Sequence, residues 1–405
     1  MAAFGLALGL AACSPEPAVI DLGIDQIDAP FGDEVQSQLA AATDAAVAAT
    51  GSTGAIVGVY APWAGQWVAG VGTVSPGGAA TDAGLTFKAT AVTRSMTCDV
   101  LYALVDNGTV ELDDTVTEWL DTYPNVADIT LEQLCDSTSG LHAYMGEIQS
   151  RLIANPERVW NPREIAAYGL AQDRTSDPGA RFRDSDTGYV MLGIVLERAS
   201  GRTMSELYRE YVFEPLGMTG SSFPSAAGDG ADWLGGFYST NEDGKPNCAA
   251  PRDLTSLSPS AGGAASGVVS TVGDLATYVR ALATGARSYD ADTRFADARP
   301  TGEDQPTWFT SDGGTYQAGS LIGQHGNLPG YMTAAYADRE TGMTVVVVLN
   351  NSRASNAVSR LLAWQLAAIA SKAPAAEGRT APEIGLPWTA ESLADQVQSL
   401  AICGD

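Results

Sequence analysis

Hydrophobic and polar positions along the chain follow two rhythms. Residues 33–50, "DEVQSQLAAATDAAVAAT", 271–285, "TVGDLATYVRALATG", and 355–373, "SNAVSRLLAWQLAAIASKA", repeat apolar residues at helical spacing. The acidic residues of the first of these sit early, where the helix dipole favours them. "GAIVGVYAPW" from Gly54 and "QWVAGVGTV" from Gln66 are β-branched runs punctuated by glycine and predict paired strands. "YMTAAYAD" and "GMTVVVVLNN" predict a hairpin turning around Glu340-Thr341-Gly342.

Between these ends, helices alternate with loops. A helix is expected from about Ser95 to Asn107, stopped by Gly108. Thr130 should cap a short helix in "ITLEQLCDSTSGL". "DSDTGYVMLGIVLERASG" has the helical period with Gly201 as its stop, and "TMSELYREYVFEPLGM" predicts a helix halted near Pro215. Residues 225–265, rich in Gly, Ser, Pro and Asp, read as loop, and "TNEDGKPN" within them as a turn rather than a Ca²⁺ loop. This order implies an α+β fold: an antiparallel sheet flanked by helices, with an inserted, mostly helical lobe. The expected division is 33–90 plus 262–371 for the sheet lobe, 91–261 for the helical lobe, and 372–405 for a Pro-rich extension with a short helix.

Composition narrows the partners. The 405 residues carry 22 Lys and Arg against 48 Asp and Glu, a net charge of −26, with lysine only at Lys88, Lys245 and Lys372. Such a surface repels nucleic acid and anionic membrane. Residues 1–12 are apolar and end in Leu10-Ala11-Ala12 before Cys13, which matches a bacterial lipobox with Cys13 as the lipidated residue. On this reading 1–12 is a lipoprotein signal peptide, 13–32 a tether, and the protein is exported and anchored to the cell envelope by lipid alone. The run lacks the positive charge that opens a signal peptide, so a merely hydrophobic N-terminus stays open. The run is too short to span a membrane. Four further cysteines, Cys98, Cys135, Cys248 and Cys403, suggest two disulfides in an exported protein, with three connectivities. The pairing Cys98–Cys135 and Cys248–Cys403 is favoured, since one staples two helices and the other ties down the tail; four buried thiols are the alternative. With two histidines and no close Cys-x-x-Cys, no metal is expected, and no cofactor.

Several stretches then line up in order: "FKATAVTRSMT", "LVDNGTVELDDTVTEWL", "ITLEQLCDSTSGL", "PGARFRDSDTGYVMLGIVLERASGRTMSELYREYVFEPLGM" and "GQHGNLPGYMTAAYADRETGMTVVVVLNN". Together they resemble the serine β-lactamase-like family of class C β-lactamases, D-Ala-D-Ala carboxypeptidases and related esterases, over about residues 33–371. The resemblance implies a β-lactamase/transpeptidase-like fold and acyl transfer by a Ser-x-x-Lys serine with a Tyr-x-Asn and a His-x-Gly motif. The matching positions depart from it. Ala91 stands at the nucleophile, Arg94 at the general-base Lys, and Asp184 and Asp186 at the Tyr and Asn. Asp136 replaces the His before Ser-Gly-Leu, and Gln324 opens the His-x-Gly position. The framework residues Phe87, Gly140, Tyr189 and Pro329-Gly330 remain.

Ala91 has no nucleophile, and Arg94 keeps its proton to a pKa above about 12. Losing a nucleophile costs roughly six orders of magnitude in rate, because such residues act as a unit. The expectation is therefore a non-catalytic envelope protein of this family, acting in binding or as a scaffold. The alternative is an active carboxypeptidase, β-lactamase or esterase with a relocated nucleophile. For that role Ser95, Ser139, Ser185, Thr90 and Thr93 are candidates, with His142 or His325 as base; none of these hydroxyls has a Lys three residues on. Arg94, Asp184 and Asp186, with His325, define the expected binding positions. They either close the pocket as a salt bridge or hold a ligand. With Asp136 nearby, a peptide, a wall fragment or a cationic small molecule is the partner to test.

Overall fold

The β-branched run near the C-terminus becomes the middle of an eight-stranded antiparallel sheet. The computed structural model of the chain describes residues 19–228, 232–287, 289 and 294–403. The expected signal peptide and Cys13 lie outside the described residues. Helix α1, Asp33–Thr50, precedes strands β1, Gly54–Ala61, and β2, Gly65–Gly72. The helical middle includes α2, Val92–Asp106, α3, Leu131–Cys135, α4, Met145–Ala154, α5, Pro162–Leu170, and α6, Asp186–Ser200. Then come α7, Val272–Ala283, and strands β3, Arg299–Pro300, β4, Phe309–Asp312, β5, Thr315–Ala318, β6, Leu321–Leu328, β7, Tyr331–Asp338, and β8, Thr344–Leu349. Helices α8, Ala357–Ala370, and α9, Ala390–Ser399, finish the chain.

The sheet order is β2-β1-β8-β7-β6-β5-β4-β3, so the first and last parts of the chain join at β1–β8. Every residue of β7 and β8 is buried, which is why β8 reads as an unbroken apolar run. Alternation sorts the two faces. Val345, Val347 and Leu349 pack with α1 and α8, while Val346 and Val348 join the core shared with α2, α6 and α7. Gly58 admits α7 to that second face, since a Cβ there would lie 2.7 Å from Val272 Cγ2.

Most expected elements form, with informative differences. Helix α2 starts at Val92 rather than Ser95, because Thr90 at φ 49° turns the chain sharply and leaves Ala91 as the N-cap. Asp243 and Gly244, both at positive φ, make a two-residue hairpin turn between the short strands Asn241–Glu242 and Lys245–Pro246. The expected loop thus contains strands. The helix after Thr203 changes to a π-helical turn over Arg209–Phe213. Strands β3 to β5 have no counterpart in the pattern analysis: they are two to four residues long and their apolar runs are too short to register.

Both disulfides form, Cys98–Cys135 and Cys248–Cys403. The second ties the tail to the body, where α9 packs on α8 and Trp388 donates to the Trp364 carbonyl at 3.1 Å. The described part of the expected tether also lies on the body. Ile20 N–H donates to Pro215 O at 2.8 Å, Gln66 N–H to Ala29 O at 2.8 Å, and Arg280 to the Gln26 side chain at 3.1 Å. Among the described residues no helix is long and apolar enough to cross a membrane.

Candidate functional site

Two ties fix the start of α2 against the sheet. Thr90 Oγ1 donates to Gly326 O at 3.2 Å and Thr333 Oγ1 to Lys88 O at 2.9 Å. They bring Ala91 onto β6 at Gly326, where a Cβ would come within 2.5 Å of the Ala91 Cβ. Only glycine permits that approach. Beside this contact lies a cavity of about 200 Å³ whose walls include Ala91, Arg94, Asp184, Asp186 and His325. The structure thus gathers five of the sequence-derived positions.

Arg94, in the first turn of α2, is buried and stacks over the Tyr189 ring at 5.1 Å. Its Nη1 pairs with Asp184 Oδ1. The partners are unequal: the Arg94 side chain is 10% exposed and that of Asp184 47%. Burial opposes the Arg94 charge, but the Asp184 and Asp186 carboxylates and the Tyr189 hydroxyl outweigh it and hold its pKa above the ordinary value. Its Nε is buried without a hydrogen-bond partner. Asp186 opens α6 and accepts the N–H groups of Tyr144 at 2.7 Å and Met145 at 3.1 Å. Burial pushes its carboxyl up to about 6, against the pull of Arg94.

Asp136 and Gln324 go elsewhere. Both hold the Gly313-Gly314 turn between β4 and β5: Gly313 N–H donates to Asp136 Oδ1 at 2.9 Å, and Gln324 Nε2 to Gly314 O at 3.0 Å. The disulfide from Cys98 to Cys135 sets Asp136 at that turn. His325 borders the cavity, but the strand alternation turns it toward the α8 layer. Its cross-strand partner Ala334 packs there, whereas Ala335, opposite Gln324, packs on the α2 side. Its Nδ1 meets Tyr336 OH at 2.8 Å, and burial holds its pKa well below the usual range.

The candidate hydroxyls are occupied structurally. Ser95 Oγ donates to Gly314 O at 2.9 Å, Ser185 Oγ accepts Gly188 N–H at 3.3 Å as the α6 cap, and Thr93 Oγ1 accepts Val268 N–H at 3.1 Å. Ser139 Oγ accepts Leu141 N–H at 3.4 Å. His142 pairs with Glu147 at 3.4 Å and lines a different cavity. The cavity walls not foreseen from the sequence include Tyr316, Ser266, Asn327 and Asn356. Asn327 follows the strand motif and was within reach of it; the others come from segments with no motif of their own.

With this geometry in view, the β-lactamase family model matches residues 39–369. The chain belongs to the β-lactamase family. Among curated relatives, penicillin-binding protein 4* of Bacillus subtilis is 28% identical over 140 residues, 33% of this chain and 29% of that protein. The D-alanyl-D-alanine-carboxypeptidase/endopeptidase AmpH of Escherichia coli is 30% identical over 139 residues, 33% of this chain and 35% of that protein. The match to these two thus spans about a third of their length. A solved D-stereospecific amidohydrolase from Streptomyces superposes with a TM-score of 0.69 at 22% identity, covering 78% of this chain and 94% of that one. These relatives confirm the expected family and its α+β β-lactamase/transpeptidase-like fold.

Proposed function

We propose that this member of the β-lactamase family has lost acyl transfer at the site its fold inherits, and instead retains a small polar ligand there. The observation that carries the proposal is Ala91 packed on Gly326 at the cavity wall, where acyl transfer needs a nucleophilic oxygen. Arg94 beside it is a fixed cation, because its proton is held more tightly than usual. Two carboxylates and a buried guanidinium around a space of about 200 Å³ suit a small polar or amine-bearing molecule, such as the end of a peptide.

The test is covalent trapping. Intact mass after incubation with a fluorescent penicillin or a fluorophosphonate should show no adduct. The variant Ala91→Ser/Arg94→Lys/Asp184→Tyr is the control for a pocket still shaped for catalysis. An adduct on the wild-type chain would overturn the proposal. Peptide mapping of such an adduct would test the second reading, a relocated nucleophile; Ser266, whose residue borders the cavity, is the hydroxyl that favours it.

We place the protein at the cell envelope. The Leu-Ala-Ala-Cys13 sequence and two disulfides, which persist in oxidising compartments, support this. Metabolic labelling with a palmitate analogue should mark the chain and not its Cys13→Ala variant; equal labelling of both would remove the anchor.

A further inference from the structure

A larger groove of about 880 Å³ lies beside the cavity. One wall is the extended stretch Arg181-Phe182-Arg183, and the other is Arg299 on the edge strand β3 with the segment after it. Arg183 lines the groove and the next residue, Asp184, lines the cavity. Phe182 packs edge-on against Tyr316 at 5.9 Å, and Tyr316 is itself a cavity wall. The two spaces therefore share a partition.

Three arginines at one groove are out of proportion in a chain with 22 basic and 48 acidic residues. Arg183 has no ion pair or side-chain hydrogen bond among the described residues. Among the described residues Arg181 reaches only the Thr175 carbonyl, at 3.5 Å. Arg299 is bound to Gly179 O at 2.8 Å and to Asp297 at 3.0 Å. The wall is nonetheless fixed: Arg183 N–H donates to Ser137 O at 2.7 Å, and the Arg299 bond ties β3 to the 179–183 stretch. Glu303 and Asp304 also line the groove, are exposed, and pair with none of these arginines. A guanidinium left without a carboxylate on a preformed wall is a receptor for a planar or tetrahedral oxyanion.

We propose that this groove binds the anionic group of a ligand, a carboxylate or a phosphate, through Arg183 and Arg181, with Phe182 supplying the apolar surface beside it. The site is separate from the reading given for the cavity and stands whether or not the chain retains acyl transfer.

Isothermal titration of the full chain with inorganic phosphate and with succinate, at fixed ionic strength in chloride, tests the proposal and distinguishes the two chemistries. At least one should bind. Arg181→Gln/Arg183→Gln should weaken it at least about tenfold, the scale of a lost charge-assisted contact. The unliganded melting temperature should stay unchanged, since both side chains are at least partly exposed. Glu303→Gln/Asp304→Asn should tighten binding. Arg94→Met should leave it intact, which separates the groove from the cavity. Binding of neither probe, equal binding by the arginine double variant, or loss on Arg94→Met alone would each overturn the assignment.

Discussion

Ala91 and Gly326 meet so closely that residue 326 has no room for a side chain: a Cβ there would lie 2.5 Å from the Ala91 Cβ. Gly326→Ala should therefore destabilise the fold by about 1–3 kcal/mol through overpacking. Ala91→Gly should relieve part of that cost, giving a coupling of about 0.5 kcal/mol or more between neighbours in contact. Urea denaturation of the two single variants and the double variant measures it; strict additivity would refute the contact.

Arg94 and Asp184 differ in exposure, and this makes the pair asymmetric. Asp184→Asn leaves a buried guanidinium with Asp186 as its remaining carboxylate, and should cost about 1 kcal/mol, the low end for a broken pair because Asp184 is half in water. Arg94→Met removes the buried charge instead and should cost less, or stabilise. Chemical denaturation of both variants reads the order. The reverse order would show that the guanidinium itself holds the helices together.

Asp136 and Asp312 both accept the Gly313 N–H, each at 2.9 Å. Burial, then the neighbouring Asp312 and Glu132, pushes Asp136 up to about 8, while burial pushes Asp312 up to about 6. A carboxyl raised above its unfolded value of about 4 binds its proton more tightly in the fold, so it favours folding in acid. That contribution is full below about pH 4 and lost as pH rises through about 8. The stability gained by Asp136→Asn should therefore be largest above pH 8 and vanish near pH 4. Melting curves of wild type and variant across that range test the sign.

Lys88 should act in the opposite sense. It is fully buried between Tyr331 and Trp233, at 4.5 and 5.4 Å from the ring centroids, and burial lowers its pKa to about 7, with Asp253 opposing. Unfolded, a lysine titrates near 10.4. Between these values the unfolded chain binds more protons, so this group's cost fades as pH rises. Lys88→Met should stabilise the fold most at or below pH 7 relative to its effect at pH 10. An effect independent of pH would mean that Lys88 is not the titrating group.

The long periodic elements were legible because their burial repeats over enough residues to leave a signal: α1, α6, α7, α8 and the hairpin of β7 and β8 all formed where expected. That residue 91 carries no hydroxyl was also readable, since the identity of a side chain is a covalent fact that no fold alters. The favoured disulfide pairing held as well. Strands β3 to β5 were not legible. They are short, and they owe their place to hydrogen bonds along β6 and to the Gly313-Gly314 turn that Asp136 and Gln324 grip.

The chain by itself determined the sheet's central strands, the flanking helices, and which side chains stand at the positions that the resemblance aligns with the family's motifs. Only the tertiary structure decided what those side chains do. It paired Arg94 with Asp184, turned Asp136 and Gln324 away to a turn, aimed His325 at the aromatic layer behind the sheet, and set Arg183 beside Arg299 across a groove. The reason is physical. Local pattern reports which face of an element avoids water, whereas the partner of a polar group depends on segments the fold brings together, such as Arg94 with Asp184, 90 residues apart, and Asp136 with Gly313, 177 apart.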